Sequence, residues 1–164
     1  ACTTIASDKT GTLTQNQLSV ERLLLASGEL VDRQGWRGSR HPAAVSAALC
    51  NEAAISPDGT IVGDTVDIAL MHFAREAGAD VEAAAGAPRR CALPYEPARK
   101  FAAVVAQGAL HVKGAPETVL PMCTEVPEEA ADGVEQLASE GYRVLAVASR
   151  PIADPLKLLD CSLV

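Results

Sequence analysis

Long apolar runs are missing from this chain of 164 residues. Its longest, such as residues 23–26 and 144–148, fall far short of the roughly 18 to 20 residues that a transmembrane helix needs. Basic residues are also outnumbered: 14 Lys and Arg face 21 Asp and Glu, giving a formal net charge of -7 and a pI near 4.9. That balance excludes the basic face that nucleic acid or an anionic membrane demands, although a few placed lysines are enough for a nucleotide. No Cys-x-x-Cys pair occurs. Cys2, Cys50, Cys91, Cys123 and Cys161 are odd in number and widely spaced, and none has metal-ligand spacing to His41, His72 or His111, so five reduced thiols are expected. The N-terminus lacks the charged start and apolar core of a signal peptide, which agrees with a cytosolic location. Repeats and long low-complexity tracts are absent, and 48% hydrophobic content with 21% charge fits one compact domain with a fragment of a second.

What is present reads as an α+β chain. Residues 17–31 form a strand interrupted by a turn at Gly28-Glu29, and the region of Trp36 reads as loop. Helical spacing of apolar residues predicts helices over 42–54, begun by His41-Pro42, and from Asp64 or Thr65 to residue 77. Residues 82–88 read as a small-residue loop. Short β-type runs follow at 91–95, 101–107 and 109–113, the last two joined by a tight hairpin at Gln107-Gly108. Helices are predicted at 115–123 and 128–140, and a final strand at 143–149. Hairpins mixed with helices outside a βαβ rhythm imply a mainly antiparallel, twisted sheet flanked by helices.

Two segments carry chemistry. Asp8-Lys9-Thr10-Gly11-Thr12-Leu13-Thr14 follows the apolar strand-like residues 2–6, so Asp8 falls just past a strand's carboxyl end, where open α/β sheets place ligands. Gly11 lets the backbone approach an anion; Lys9, the threonine hydroxyls and the turn's N–H groups suit phosphate oxygens and Mg²⁺ while the Asp8 carboxylate attacks the γ-phosphorus to give an aspartyl phosphate. The bland alternative is a Thr-rich loop with a capping Asp. Lys113-Gly114-Ala115-Pro116-Glu117 ends a hairpin strand with a cation and turns directly into a helix, with Gly114 clearing space for a ligand and Pro116 suited to the first helical position. Alone it would read as an ordinary strand-to-helix turn.

The heptad from Asp8 to Thr14 is identical to the signature of P-type ATPases, the cation pumps that phosphorylate themselves on aspartate. The resemblance implies that Asp8 is the phosphorylated residue and a Mg²⁺ ligand, that Lys9 assists it, and that Thr10 offers its backbone carbonyl to Mg²⁺, as in the haloacid dehalogenase superfamily to which these pumps belong. Ala6 departs from the family's usual Cys. Lys113 to Glu117 matches the nucleotide-binding domain of type II pumps, where the lysine lies deep in the ATP pocket beside Gly114. Tyr95-Glu96-Pro97-Ala98-Arg99-Lys100 resembles the adenine-side segment of that domain, which implies stacking of Tyr95 on adenine and a basic role for Lys100; Phe101-Ala102-Ala103 departs from the family's Met-Ser. Cys50-Asn51-Glu52 and residues 63–70 resemble Cys-Asn-Asp and Gly-Asp-x-x-Glu-x-Ala-Leu, so that Asp67 stands for the glutamate that accepts the adenine amino group, while Asp64 and Asp67 also suit a helix start. Arg143 matches an arginine that meets ATP phosphates, against the alternative of a surface residue.

The resemblance thus implies a partial dehalogenase-like phosphorylation domain with its linker at 1–20, a nucleotide-binding domain at 21–150 and a return linker at 151–164. ATP and Mg²⁺ are the implied cofactors; the implied partners are the remaining phosphorylation, actuator and transmembrane domains of a parent pump, with the segment itself monomeric. A soluble dehalogenase-type phosphatase would need a general acid two residues after the nucleophile, where Thr10 stands; a non-catalytic nucleotide-binding module is the other class. Within these 164 residues there is no Thr-Gly-Asp and no Gly-Asp-Gly-x-Asn-Asp, the family elements that complete Mg²⁺ coordination and charge stabilisation, on which phosphoryl transfer depends. Incubation of the 164-residue chain with labelled ATP and Mg²⁺ followed by acid quench is therefore expected to trap no phosphate; labelling that disappears in Asp8→Asn would overturn this.

Overall fold

The computed structural model describes residues 17–124, 126 and 130–152. The Asp8 motif, including Lys9 and Thr10, and the segment after residue 152 lie outside them, as does the proposed dehalogenase-like start.

Three antiparallel sheets are interleaved with helices. Strands β1 (Arg22–Leu24) and β2 (Leu30–Asp32) pair as a hairpin, with Gly28 at a φ of 80° in the turn, a conformation that only glycine adopts freely. Asp32 then caps the short helix α1 (Arg33–Trp36), accepting from the Gln34 and Gly35 N–H groups. Helix α2 (Pro42–Leu49) starts at His41, whose Nδ1 accepts from the Ala43 N–H. A small hairpin of β3 (Ala54–Ile55) and β4 (Ile61–Val62) leads into α3 (Thr65–Glu76) and α4 (Val81–Ala85). The main sheet has strands β5 (Arg89–Leu93), β6 (Phe101–Ala106), β7 (Ala109–Gly114) and β8 (Ala146–Pro151) in the order β5-β6-β7-β8, all antiparallel. Between β7 and β8 come α5 (Pro116–Val119), a 3₁₀ turn (Leu120–Met122) and α6 (Ala130–Ser139).

The mixed fold with antiparallel sheets agrees with expectation, and so does the β6–β7 hairpin, whose Gln107 and Gly108 both take positive φ, as a tight two-residue turn requires. Three expectations need correction. Trp36 is not in a loop: it ends α1, is 1% exposed and meets Phe73 edge to face at 5.6 Å. Part of the small-residue segment 82–88 is helix, since Asp80 accepts from the Ala83 N–H and caps α4. Cys91 is disulfide-bonded while Cys50 and Cys123 are free, so the thiols are not all reduced; the spacing rule detects local pairs and is blind to cysteines that folding brings together.

β6 explains the layering. All six of its residues are buried, because alternate side chains enter different cores. Ala102, Val104 and Ala106 join the larger core with α2, α3 and Trp36, whereas Phe101 and Ala103 pack with Val112 and Val119 on the other face. Across the register, His111 lies opposite Val104 and Lys113 opposite Ala102, which directs both polar side chains into the helix-covered face.

His111 is 5% exposed, its Nδ1 lies 2.9 Å from the Ser46 hydroxyl of α2, and burial lowers its pKa from the ordinary 6.5. A depressed folded-state value makes the unfolded chain the better proton acceptor, so stability present above about pH 6.5 is lost as pH falls through the folded-state value. Urea midpoints are expected to drop between about pH 7 and pH 5, with His111→Gln flattening this dependence and NMR titration placing the native imidazole below its usual range.

Candidate functional site

The centre of the site is a buried ion pair between β7 and α3. The Lys113 ammonium donates to Asp67 Oδ1, with the two residues only 6% and 8% exposed. Lys113 reaches inward because its register partner Ala102 faces the larger core. Asp67 meets it from the first turn of α3, where the helix dipole favours a carboxylate, and Asp67 Oδ2 accepts from the Glu52 N–H at 3.0 Å. Asp64, two residues before Val66, caps α3 by accepting from the Val66 N–H at 2.9 Å.

Asn51 locks the turn that supplies this N–H. Its amide nitrogen donates to the carbonyls of Ala47 (3.2 Å) and Asp67 (3.0 Å), its amide oxygen accepts from the Ala53 N–H (2.8 Å), and its own carbonyl accepts from Arg89 Nη2 (2.7 Å). One residue thereby joins α2, α3 and the edge strand β5. Gly63 fits against this turn so closely that a Cβ would come within 2.9 Å of Ala53 Cα. Next to it, burial pushes the Cys50 thiol up to about 11, against the opposing pull of Lys113, so this cysteine is an inert packing group. The tie made by Asn51 and Arg89 escaped the sequence reading, which weighed the Cys-Asn-Glu segment as a pattern and had no means of seeing three elements meet there.

The antiparallel order brings further residues to the same end of the main sheet. Leu93 pairs with Ala103, Phe101 with Gly114, and Gly114 with Ala146, so β5 and β7 end where β6 and β8 begin. Tyr95 lies two residues past β5 and is 51% exposed. Lys100 immediately precedes β6 at a φ of 60°; its N–H donates to the Glu96 carbonyl (2.8 Å), its carbonyl accepts from the Ala115 N–H (2.9 Å), and its ammonium lies 3.0 Å from Glu117. A side chain at Gly114 would strike the Lys100 carbonyl oxygen and come within 2.6 Å of Phe101 Cβ. Arg143 is exposed, three residues before β8.

Of the sequence-predicted residues, Lys113 and Asp67 are in direct contact, Lys100 abuts Gly114, and Tyr95 and Arg143 flank the same sheet end, while Asp8, Lys9 and Thr10 lie outside the described residues. Among the described residues no cluster of His, Cys, Asp and Glu could hold a metal ion, and no helix is long and apolar enough to cross a membrane. A separate open concavity lies between Arg22, Arg33, Arg37 and Tyr142; Glu21 and Asp32 also line it, and Glu76 holds Arg33.

Removing one member of a buried pair leaves an uncompensated charge. Asp67→Ala is expected to lower stability by about 3 kcal/mol, as is Lys113→Ala, whereas Asp67→Leu combined with Lys113→Met regains most of the loss. Chemical denaturation of the three variants measures it; additive losses would sink the assignment of a coupled pair.

Comparison with known proteins bears on what this arrangement is. The model of the P-type ATPase cytoplasmic domain N matches residues 42–157. A probable cation-transporting P-type ATPase of Mycoplasma genitalium is 34% identical over 152 residues, covering 88% of this chain and 16% of the relative. Calcium-transporting ATPase 1 of Lactococcus lactis is 28% identical over 171 residues, covering 92% of this chain and 19% of the relative. Probable cation-transporting ATPase F of Mycobacterium tuberculosis is 33% identical over 184 residues, covering 88% and 20%. The chain thus spans about a fifth or less of the length of these curated relatives. It belongs to the P-type ATPases, as a segment that carries their cytoplasmic domain N.

Proposed function

We propose that this chain is the ATP-binding segment of a P-type pump that couples ATP hydrolysis, through an aspartyl phosphate on Asp8, to cation transport across a membrane, with the segment on the cytosolic face. The observation that carries the reading is the convergence of Tyr95, Lys100, Lys113 and Gly114 at one end of the main sheet, with Asp67 paired to Lys113. A half-exposed tyrosine offers a flat face to adenine. Gly114 lets Lys100 and Phe101 close in on the end of β7, filling the space expected for a ligand, and Lys100 and Arg143 are the exposed cations for phosphates. Each Asp67 oxygen already accepts one hydrogen bond and keeps a further lone pair for the adenine amino group, directly or through water.

In the parent pump, domain closure carries the γ-phosphate from this site to Asp8, assisted by Lys9. Mg²⁺, held by Asp8 and the Thr10 carbonyl, would supply charge neutralisation for the transfer. The remaining phosphorylation, actuator and transmembrane domains are the partners on this reading.

An open site that leaves the γ-phosphate free implies weak binding, with Kd on the order of 0.1 to several mM. Stacking on an aromatic platform contributes about 1 to 3 kcal/mol, so Tyr95→Ala is expected to weaken ATP binding at least about fivefold. Asp8→Asn should leave it nearly unchanged, since Asp8 belongs to the other domain. NMR or calorimetric titration decides; loss of binding in Asp8→Asn with Tyr95→Ala intact would place the site elsewhere.

A further inference from the structure

The two lysines at this sheet end are held in opposite ways. Lys113 is 6% exposed and committed to Asp67, so releasing its ammonium would strand a buried carboxylate. The Lys100 ammonium is 3.0 Å from Glu117, with the two side chains 53% and 63% exposed. A pair of that kind is weak and exchanges readily. Its backbone, by contrast, is pinned: a φ of 60° in a non-glycine residue is kept by the bonds of its N–H to Glu96 and of its carbonyl to Ala115. The side chain of Lys100 can therefore swing from a fixed root. Glu117 stands in the first turn of α5, three residues after Gly114, with its carboxylate on the Lys100 ammonium. Its carboxyl titrates below the ordinary range, through the backbone N–H of its own residue first and the Lys100 ammonium second, and so is ionised at neutral pH.

We propose that Glu117 is a counter-ion gate for nucleotide phosphates: it parks the Lys100 ammonium in the nucleotide-free protein and yields it to an incoming polyphosphate. This rests on the nucleotide reading above and adds a specificity role to Glu117. A nucleoside triphosphate carries several negative charges and outcompetes a single exposed carboxylate for one ammonium, whereas an uncharged nucleoside leaves the pair closed. The pair therefore costs the triphosphate some affinity and the nucleoside none. Removing the Glu117 charge frees Lys100 in advance and also removes a repulsion near the phosphates.

The test is titration of the 164-residue chain, Glu117→Gln, Lys100→Gln and the double variant with ATP and with adenosine, by NMR shifts or calorimetry at low and high salt. Glu117→Gln is expected to lower the Kd for ATP about two- to fivefold at low salt, the range an exposed ion pair can contribute, with adenosine unchanged. The gain should shrink at high salt and be much smaller when Lys100 is already Gln, where only the lost repulsion remains. Unchanged ATP affinity in Glu117→Gln, with both ligands still binding, would overturn the gate and leave the nucleotide site standing. So would a gain undiminished without Lys100, or one shared equally by adenosine. Failure of the unaltered chain to bind either ligand would overturn the site and the gate together.

Discussion

The buried contact between Lys113 and Asp67 is the constraint around which this domain is arranged. An ammonium and a carboxylate at 6% and 8% exposure are tolerable only as a pair with further hydrogen bonds, and those bonds dictate their neighbours. Asp67 must stand at the start of α3, next to the Glu52 N–H. The turn carrying that N–H must be held by Asn51, which bonds to α2 and α3 and receives Arg89 from β5. Lys113 must occupy the helix-facing side of β7, which the β6–β7 register ensures. Sheet and helical layer are thus joined by this contact, by Arg89 on the Asn51 carbonyl and His111 beside Ser46, and by the apolar core around them.

Charge placement at this end follows a division between fixed and exchangeable groups. Lys113 is sequestered and shapes the interior, while Lys100 and Arg143 are exposed to whatever approaches. Burial deepens the first kind of interaction and solvent screening weakens the second, so a weak, reversible ligand contact is best made through the exposed set. An acidic domain with a net charge of -7 can still present a cationic spot where the backbone fixes the root of a basic side chain and its acidic partner is exposed and exchangeable. Lys100, rooted at a positive φ beside Gly114, is such a case.

Much of the architecture was legible because it rests on local chemistry. Gln107-Gly108 announces a two-residue turn, Asp64 and Pro42 announce helix starts, and the alternating residues around them follow. Boundaries were poorer: the helix expected at 115–123 is a single turn of α5 followed by a 3₁₀ turn, and β8 starts at Ala146 rather than at Arg143. Trp36 was misread because its helix has four residues, too short for periodicity to register. The Asp8 motif was the clearest signal in the chain and lies outside the described residues.

Taken alone, the amino-acid order determined the family, since the motif at Asp8 and the segment at Lys113 are contiguous runs whose meaning does not depend on distant residues, and a match over residues 42–157 accords with it. It also determined the hairpins and helix starts, which are set by backbone preferences within a few residues. Tertiary structure alone decided that Lys113 is paired with Asp67, 46 residues away, that Ser46 meets His111 across 65 residues, that Cys91 is disulfide-bonded, and that Glu117 faces Lys100 across 17 residues. The physical reason is that each of these is a choice among many compatible partners, made by sheet register and by the way α2 and α3 cover one face of the sheet.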